Sequence, residues 1–562
     1  MGGATMLTGL RHMRNKPFIR RITALIKKHP VAIILFIGLV ILSFNIIYIG
    51  SIRPFNSDDL YWQQTIRTWR PFSGEIFYFG TKDIFVMLAP FFMFFESIFA
   101  PSRSLILFEA WFITILTFVS AYFASVYFMR KLKLRINIAS LLPFIWLASF
   151  GYPLVQNYLN SDWRTLEVGI AMLTFMLVAA ICFDDFMPLR NVRNKLLSVL
   201  AILYVGLVSY SDPYFLIFTL GPVLIFTVLL FALKRIDRKK LVLITVGSFA
   251  SIISSSVFAY IGQKAGLHIP AEIPSAFVGL DGLLLNVANS LQGLLIIFGA
   301  DFFGKQVTAP STFGNLMNAS LVAVIWWYIW HSAQRLKVST IHTLKLPELW
   351  KIFWGIVMLF MFIVYTVSTL VLVSNYRFFV VFVYCGIIAL VFTLGSKLNK
   401  LARAILVLLL LGGTCFNLSI TTMSGYVKGQ PNVSSNMGNA LNYTLIRAVD
   451  NLHVHKGYTT YWQGNINTYL SKGTTLYLPT LCEGGQLRTF KWLVDGSQFG
   501  KPAEKSFYLY DPSYSAPPNC TPAQVIKQFG NPTKTITVAG IQILVFDYDI
   551  GSKMSHFSGF DK

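Results

Sequence analysis

The stretch VAIILFIGLVILSFNIIYIG (residues 31–50), followed five residues later by Asn56-Ser57-Asp58-Asp59-Leu60-Tyr61, decides how the rest of the chain is read. The apolar run has the ~20 residues that a helix needs to cross the hydrocarbon core of a bilayer. Its far mouth then carries two adjacent carboxylates, which repel each other and lose solvation beside lipid. Only 24 of 562 residues are acidic, so packing is a poor reason for placing two of them there. A cation, a proton or a hydroxyl to be activated is a better one.

The composition outward from that point agrees with a membrane protein. Mean hydropathy is +0.59, with 55% hydrophobic, 15% aromatic and 13% charged residues, which excludes an ordinary soluble domain. The net charge of +23 comes from short basic loops: Arg11–Lys28, Arg130–Arg135, Arg190–Lys195, Lys234–Lys240, Arg335–Lys351 and Lys397–Arg403. Such loops mark the cytoplasmic side and attract anionic lipid, so no nucleic-acid partner is needed. With them inside, spans fall near 31–50, 105–129, 137–157, 166–183, 196–211, 213–233, 241–261, 316–334, 352–373, 377–395 and 403–423, about eleven in all. Making Ile76–Phe99 a further span would put Arg130–Arg135 outside. That segment is therefore read as helices on the outer leaflet, within a first external loop at 51–104. Leu283–Ala300 is ambiguous on the same ground and stays open as a re-entrant segment.

The expected fold is an all-α polytopic membrane domain (31–424) after a basic cytoplasmic N-terminus (1–30), with a small external α/β or α+β domain at 425–562. Val31–Gly50 reads as a retained anchor rather than a cleaved signal. Cys182, Cys385 and Cys415 fall in spans. Cys482 and Cys520 fall in the external domain, where an oxidising exterior permits a disulfide that the sequence leaves open.

Polar residues outside the basic loops collect on the external side. Gly80-Thr81-Lys82-Asp83 puts an ammonium where a lipid phosphate would lie, although snorkelling also explains it. Arg103 closes the first loop. The next external turn holds Asp162 and Arg164; Asp162 reads either as a helix cap or as a second carboxylate facing the same cavity. Asp212-Pro213 reads as a turn. Tyr376-Arg377 opens the tenth span, as an interfacial anchor or a phosphate ligand. There is no nucleotide-binding motif and no zinc spacing among the eight histidines, so energy comes from an ion gradient or from a substrate that arrives activated.

This arrangement resembles the C-type (GT-C) superfamily of membrane glycosyltransferases, including the lipid A aminoarabinose transferases and protein mannosyltransferases. The resemblance rests on the acidic pair after the first span (Asp58-Asp59, near Tyr61) and on the Lys82 segment, where Asp83 replaces the usual proline. It also rests on an acidic residue in the next external loop (Asp162) and on a late Tyr376-Arg377. It implies inverting transfer of a sugar from a polyprenyl-phosphate donor to a hydroxyl of a glycan, lipid or protein, on the outer face of the plasma membrane. One of Asp58 and Asp59 would take the acceptor proton. Lys82, Arg103, Arg164, Tyr376 and Arg377 would hold the departing phosphate. Asp162 would orient the acceptor or bind a divalent cation, the one cofactor in view. No Trp-Trp-Asp-Tyr-Gly signature is present, which argues against transfer of whole oligosaccharides to asparagine.

From about Gly425 the chain turns to Gly, Asn, Pro, Thr and Tyr. Thr475–Leu481, Lys505–Tyr510 and Lys534–Phe546 read as strands and Asn439–Leu452 as a helix. Tyr458, Tyr461, Trp462, Tyr469 and Trp492 are either core or a surface for sugar rings. The main rival reading is a secondary transporter or a flippase for a lipid-linked sugar, with external carboxylates coupled to ions; a membrane scaffold is a third.

Overall fold

The computed structural model describes residues 28–53, 55, 57, 63, 66–67, 70–73, 77–78, 85–150, 154–155, 164–184, 191–212, 214–268, 276–422, 439–491, 494–513 and 519–556. The membrane part is helical: α1 (Pro30–Ile52), the two-residue strand β1 (Phe77–Tyr78), α2 (Phe85–Ile98), α3 (Arg103–Lys131), α4 (Ile138–Ala148), α5 (Arg164–Phe183) and α6 (Val192–Ser211). A π-turn at Leu216–Leu220 leads into α7 (Gly221–Ala232), then α8 (Arg238–Lys264), β2 (Leu267–His268), α9 (Leu280–Ile297), α10 (Pro310–Gln334), α11 (Leu346–Thr366), α12 (Val380–Gly395) and α13 (Lys400–Thr422). Among the described residues nine helices are long and apolar enough to cross a membrane, so this is a multi-pass membrane protein. Against the expected spans, α4 and α7 are short, α10 falls outside the nine, and α9 is among them.

Local chemistry sets the helix ends. Pro30 occupies the first turn of α1, where a missing N–H costs nothing. Ser102 caps α3, its hydroxyl accepting from Leu105 N–H at 3.2 Å, and Arg130 and Lys131 close the last turn in line with the helix dipole. Asn137 and Ser140 form a reciprocal capping box at α4.

The helices share two chemically distinct ends. At one, the basic loops meet each other. Lys131 pairs with Asp184, which also accepts from Tyr127 at 2.8 Å. Arg135 N–H donates to Gly395 O (3.0 Å), Arg235 to His342 O (2.7 Å) and Lys240 to Cys182 O (3.2 Å). We call the opposite end the mouth. There α1 finishes beside the start of α3, and Tyr214 meets Phe378 with ring centroids 5.4 Å apart.

Among the described residues, the contacts of helix α9 begin at the mouth. Val278, just before it, donates to Val367 O (2.8 Å), and Asn286 bonds the carbonyls of Thr366 and Ser368 (2.9 Å each) at the mouth end of α11. Gly293 abuts Tyr376, and Gly299 O accepts from Asn318 Nδ2 at 3.0 Å. Asn318 lies eight residues, about 12 Å, into α10 from its mouth end. Helix α9 therefore leads from the mouth end of α11 to the level of Asn318 on α10, and its length and composition also place it among the nine candidate spans.

The bundle core is aromatic around α12, all sixteen of whose residues are buried. Trp350 and Trp354 pack edge-on or tilted against Phe128, Phe175, Phe226 and Phe353 with centroids 5.0–5.9 Å apart.

The C-terminal sheet domain comprises α14 (Ala440–Asp450), β3 (Lys456–Thr460), α15 (Tyr461–Leu470), β4 (Leu476–Glu483), β5 (Gln486–Thr489), β6 (Val494–Asp495), β7 (Ser506–Tyr510), α16 (Pro522–Phe529), β8 (Lys534–Val538) and β9 (Ile541–Phe546). Its six-stranded sheet runs β5-β4-β3-β7-β9-β8, parallel through β4, β3 and β7 and antiparallel at both sides. The strands and the helix read from sequence are all present, joined by β3 and β5. Cys482 on β4 is disulfide-bonded to Cys520, just before α16. Tyr458, Tyr461 and Tyr469 are core residues rather than a sugar-stacking surface, and Trp492 lies outside the described residues.

Candidate functional site

The first loop is fastened to the rest of the molecule side chain by side chain. Arg103, the first residue of α3, donates through Nη2 to the carbonyls of Gly50 and Arg53 (2.9 Å to the latter), and its guanidinium lies 5.1 Å from the centroid of Phe55. Those carbonyls belong to the last turn of α1, where orphan acceptors need a donor and a cation suits the dipole. Phe55 is buried. Its N–H donates to Asn439 Oδ1 (3.1 Å) and its carbonyl accepts from Asn439 Nδ2 (2.7 Å), so one amide side chain grips both backbone groups. Ser57, also buried, bridges a turn of α15: its hydroxyl donates to Tyr461 O (2.5 Å) and accepts from Asn465 N–H (3.2 Å).

Further along the loop lies a buried acid cluster. Gln63 Nε2 donates to Glu109 Oε2 at 2.8 Å, both residues fully buried. Arg67 Nε meets Glu96 Oε2 at 2.5 Å while its Nη2 donates to Phe99 O at 2.8 Å. Tyr469 of α15 donates its hydroxyl to Glu96 Oε1 (2.7 Å), and the Arg67 guanidinium stands 5.8 Å from that ring. Burial lifts the Glu96 carboxyl above its usual range, against the opposing pull of Tyr469 and Arg67. Burial likewise pushes the Tyr469 phenol up, with Glu96 adding to it. Helix α2 presents Glu96 because Phe91 and Phe95 pack on Phe108 and Phe112 of α3, with centroids 5.2–6.0 Å apart. A three-stranded ribbon completes the junction: β1 pairs in parallel with β2 and antiparallel with β6.

On the other side of the mouth, Tyr376 and Arg377 sit in a 3-10 turn (Val373–Phe379) at the head of α12. The turn is held by Asn375 Nδ2 on Leu370 O (2.9 Å) and by Tyr365, whose hydroxyl donates to Asn375 O (3.3 Å). The Arg377 guanidinium lies 5.7 Å from the Phe378 ring centroid. An arginine beside a helix start can receive a phosphate through charge and backbone N–H groups together. Asp212 is buried, and its carboxylate accepts from Tyr214 N–H at 2.8 Å, the turn role read from sequence.

Asp58, Asp59, Lys82 and Asp162 lie outside the described residues, as does the side chain of Arg164, which opens α5. Arg103 holds the end of α1, and Tyr376 and Arg377 sit in the turn at the head of α12. Among the described residues no group of three or more His, Cys, Asp or Glu side chains could bind a metal, and the one cation ligand in view, Asp162, is not among those residues. Sequence reading missed Gln63, Arg67, Glu96, Glu109 and Asn439. Glu96 and Glu109 carried a signal: each is a lone carboxylate in an apolar run, FFMFFESIF and LILFEAWF, where an ionisable residue needs a partner.

No family model matches the sequence, and no curated protein matches it. Among solved structures, the chain is similar to the oligosaccharyltransferase of Archaeoglobus fulgidus in its apo form. That match has 15% identity and a TM-score of 0.44, covering 84% of this chain and 65% of that one. It is also similar to the same enzyme tethered through a disulfide bond to an acceptor peptide containing the NVT sequon, at 14% identity and a TM-score of 0.42 over 81% and 64% of the two chains. The chain thus spans about two-thirds of the length of the structures it matches.

Proposed function

We propose that the chain is an inverting membrane glycosyltransferase, moving a sugar from a polyprenyl-phosphate donor to an acceptor hydroxyl on the outer face of the plasma membrane. The observation that carries the reading is the grip on Ser57. The residue directly before Asp58 is buried and bonded to the C-terminal domain at two points, so the acidic pair follows a fixed anchor at the mouth. A base must be held to within a fraction of an ångström of its proton, and such an anchor is what that demands. In this reading one of Asp58 and Asp59 accepts the acceptor proton as the oxygen attacks the anomeric carbon. The donor's phosphate leaves with the bonding electrons, toward Arg377 and Tyr376 and the loop cations Lys82 and Arg164. Arg103 would act through the end of α1 that it holds. Asp162 orients the acceptor or holds a divalent cation. The Cys482–Cys520 disulfide supports an external C-terminal domain, since such bonds persist in oxidising compartments.

The test is transfer of labelled sugar from polyprenyl-phosphate donors by the purified chain and by Asp58→Asn, Asp59→Asn and Asp162→Asn, each checked for unchanged melting. At least one should lose transfer by about a hundredfold or more. Full transfer by all three would sink the assignment. A rival transporter or flippase reading draws on Glu109, a fully buried carboxylate on an apolar helix, whose Oε1 has no hydrogen-bond partner among the described residues. Movement of a labelled substrate across sealed vesicles, with no glycosidic product, would decide for it.

A further inference from the structure

In the basic half of the bundle, α5, α6, α7 and α8 surround a cleft of about 690 Å³. Leu173 and Leu177 of α5, Leu197 and Ala201 of α6, and Val246 and Gly247 of α8 line its apolar wall. The wall runs from Ile170 to Ile181 along α5 and from Lys195 to Val205 along α6. At 1.5 Å per residue this is about 15 Å, half of a ~30 Å hydrocarbon core. The cleft is one leaflet deep, and the leaflet is the one beside the basic loops, because Lys195 lies in the first turns of α6 and Ser211 ends that helix at the mouth. Lys240 stands at the same level, its ammonium on the carbonyl of Cys182, one residue beyond Ile181.

An apolar cavity stays dry and takes up hydrocarbon, and this volume falls in the range of sites that hold a sizeable ligand. The rim asks for an anion. Lys195 is exposed, it shares the start of α6 with Arg193, and the first turn of that helix holds no acidic residue, so side-chain charge and helix dipole have the same sign there. We propose that the cleft binds an anionic phospholipid of that leaflet, one acyl chain lying among α5, α6 and α8 and the head-group phosphate resting on Lys195. The site stands apart from the mouth and does not depend on the transferase reading.

Gly247 offers the test, because a Cβ built there meets nothing within 4 Å. The full-length chain, purified in detergent, is given phosphatidylglycerol or phosphatidylcholine, and retained lipid is counted by native mass spectrometry. Retention of one phosphatidylglycerol in preference to phosphatidylcholine is expected, kept by Gly247→Ala and lost by Gly247→Phe. Lys195→Gln should reduce the preference about fivefold. Leu200→Trp, on the open rim, fills the same space and serves if Gly247→Phe melts early without lipid. Equal retention of the two lipids by the native chain would overturn the proposal. So would undiminished retention in a well-folded Gly247→Phe or Leu200→Trp, or a dimer that closes the cleft.

Discussion

Ser57 has a small side chain and two bonds to a helix more than 400 positions away in sequence. Its hydroxyl is the shortest group that can both donate and accept there. Ser57→Ala should remove about 1–3 kcal/mol of anchoring by leaving a backbone pair short of a partner. Under the proposed function, turnover should fall by at least about tenfold while melting drops only a few degrees, because a base displaced slightly loses rate before the fold loses stability. Steady-state assay and thermal melting of the same preparation check this. Glu96 makes a pH prediction. Its folded carboxyl is raised by burial above the ordinary 4.5, so the folded state holds the proton more tightly than the unfolded one. Its contribution to stability is full below the unfolded value and is lost as pH rises through the folded one. Melting temperature should therefore decline with pH across the window above 4.5, and Glu96→Gln should flatten that slope. A slope unchanged in the variant would show that other groups cause it.

At the level of elements, polar side chains between helices do the positioning. Asn318 of α10 accepts from Trp146 Nε1 on α4 (2.9 Å) and donates to Gly299 O after α9 and to Asn417 Oδ1 on α13 (2.9 Å). Asn318→Leu should destabilise the detergent-solubilised bundle by about 1–2 kcal/mol, read as a lower melting temperature with the turn at Gly299 more open to hydrogen exchange. In the sheet domain, Lys456 and Asp549 pair at 2.8 Å with side chains 5% and 7% exposed, and Tyr458 adds a bond to the same carboxylate. Asp549→Ala should cost about 3–5 kcal/mol, since a buried ammonium keeps the carbonyls of Phe499 and Lys501 but loses its counter-charge, and Lys456→Met in the same chain should recover much of it. Denaturant unfolding of the two variants measures both. Elements with strong local patterns were legible: α1 from its unbroken apolar run, and β7 and β9 from alternation. Helix α9 was not, because an 18-residue, mainly apolar helix fits either a crossing or a dip. Its placement beside α11 lies in Asn286 meeting Thr366 and Ser368, a contact no local pattern announces.

For the whole molecule, the basic loops of the sequence mark helix ends that lie together, as Lys131 with Asp184, Arg235 with His342 and Lys240 with Cys182 illustrate. The mouth was legible only as a set of polar residues. Its construction depends on Phe55 with Asn439, Ser57 with Tyr461, and Glu96 with Tyr469, all separated by more than 370 residues. Two-residue strands such as β1, β2 and β6 carry no periodicity to read. The disulfide is testable at this scale. Alkylation of the denatured chain should label three cysteines, Cys182, Cys385 and Cys415, and five after reduction. Closing a loop of 38 residues contributes about 4 kcal/mol in the chain-entropy account, so reduction should lower the unfolding midpoint of the sheet domain. The ribbon β2-β1-β6 has a consequence for biosynthesis. Phe77 pairs with Asp495, so the first loop waits, already outside the membrane in the proposed topology, until the last quarter of the chain has been made. At 5–20 residues per second the delay is on the order of 20–80 s. A nascent or truncated chain is then a membrane bundle without a finished mouth, and synthesis to near the C-terminus becomes the step that switches the protein on.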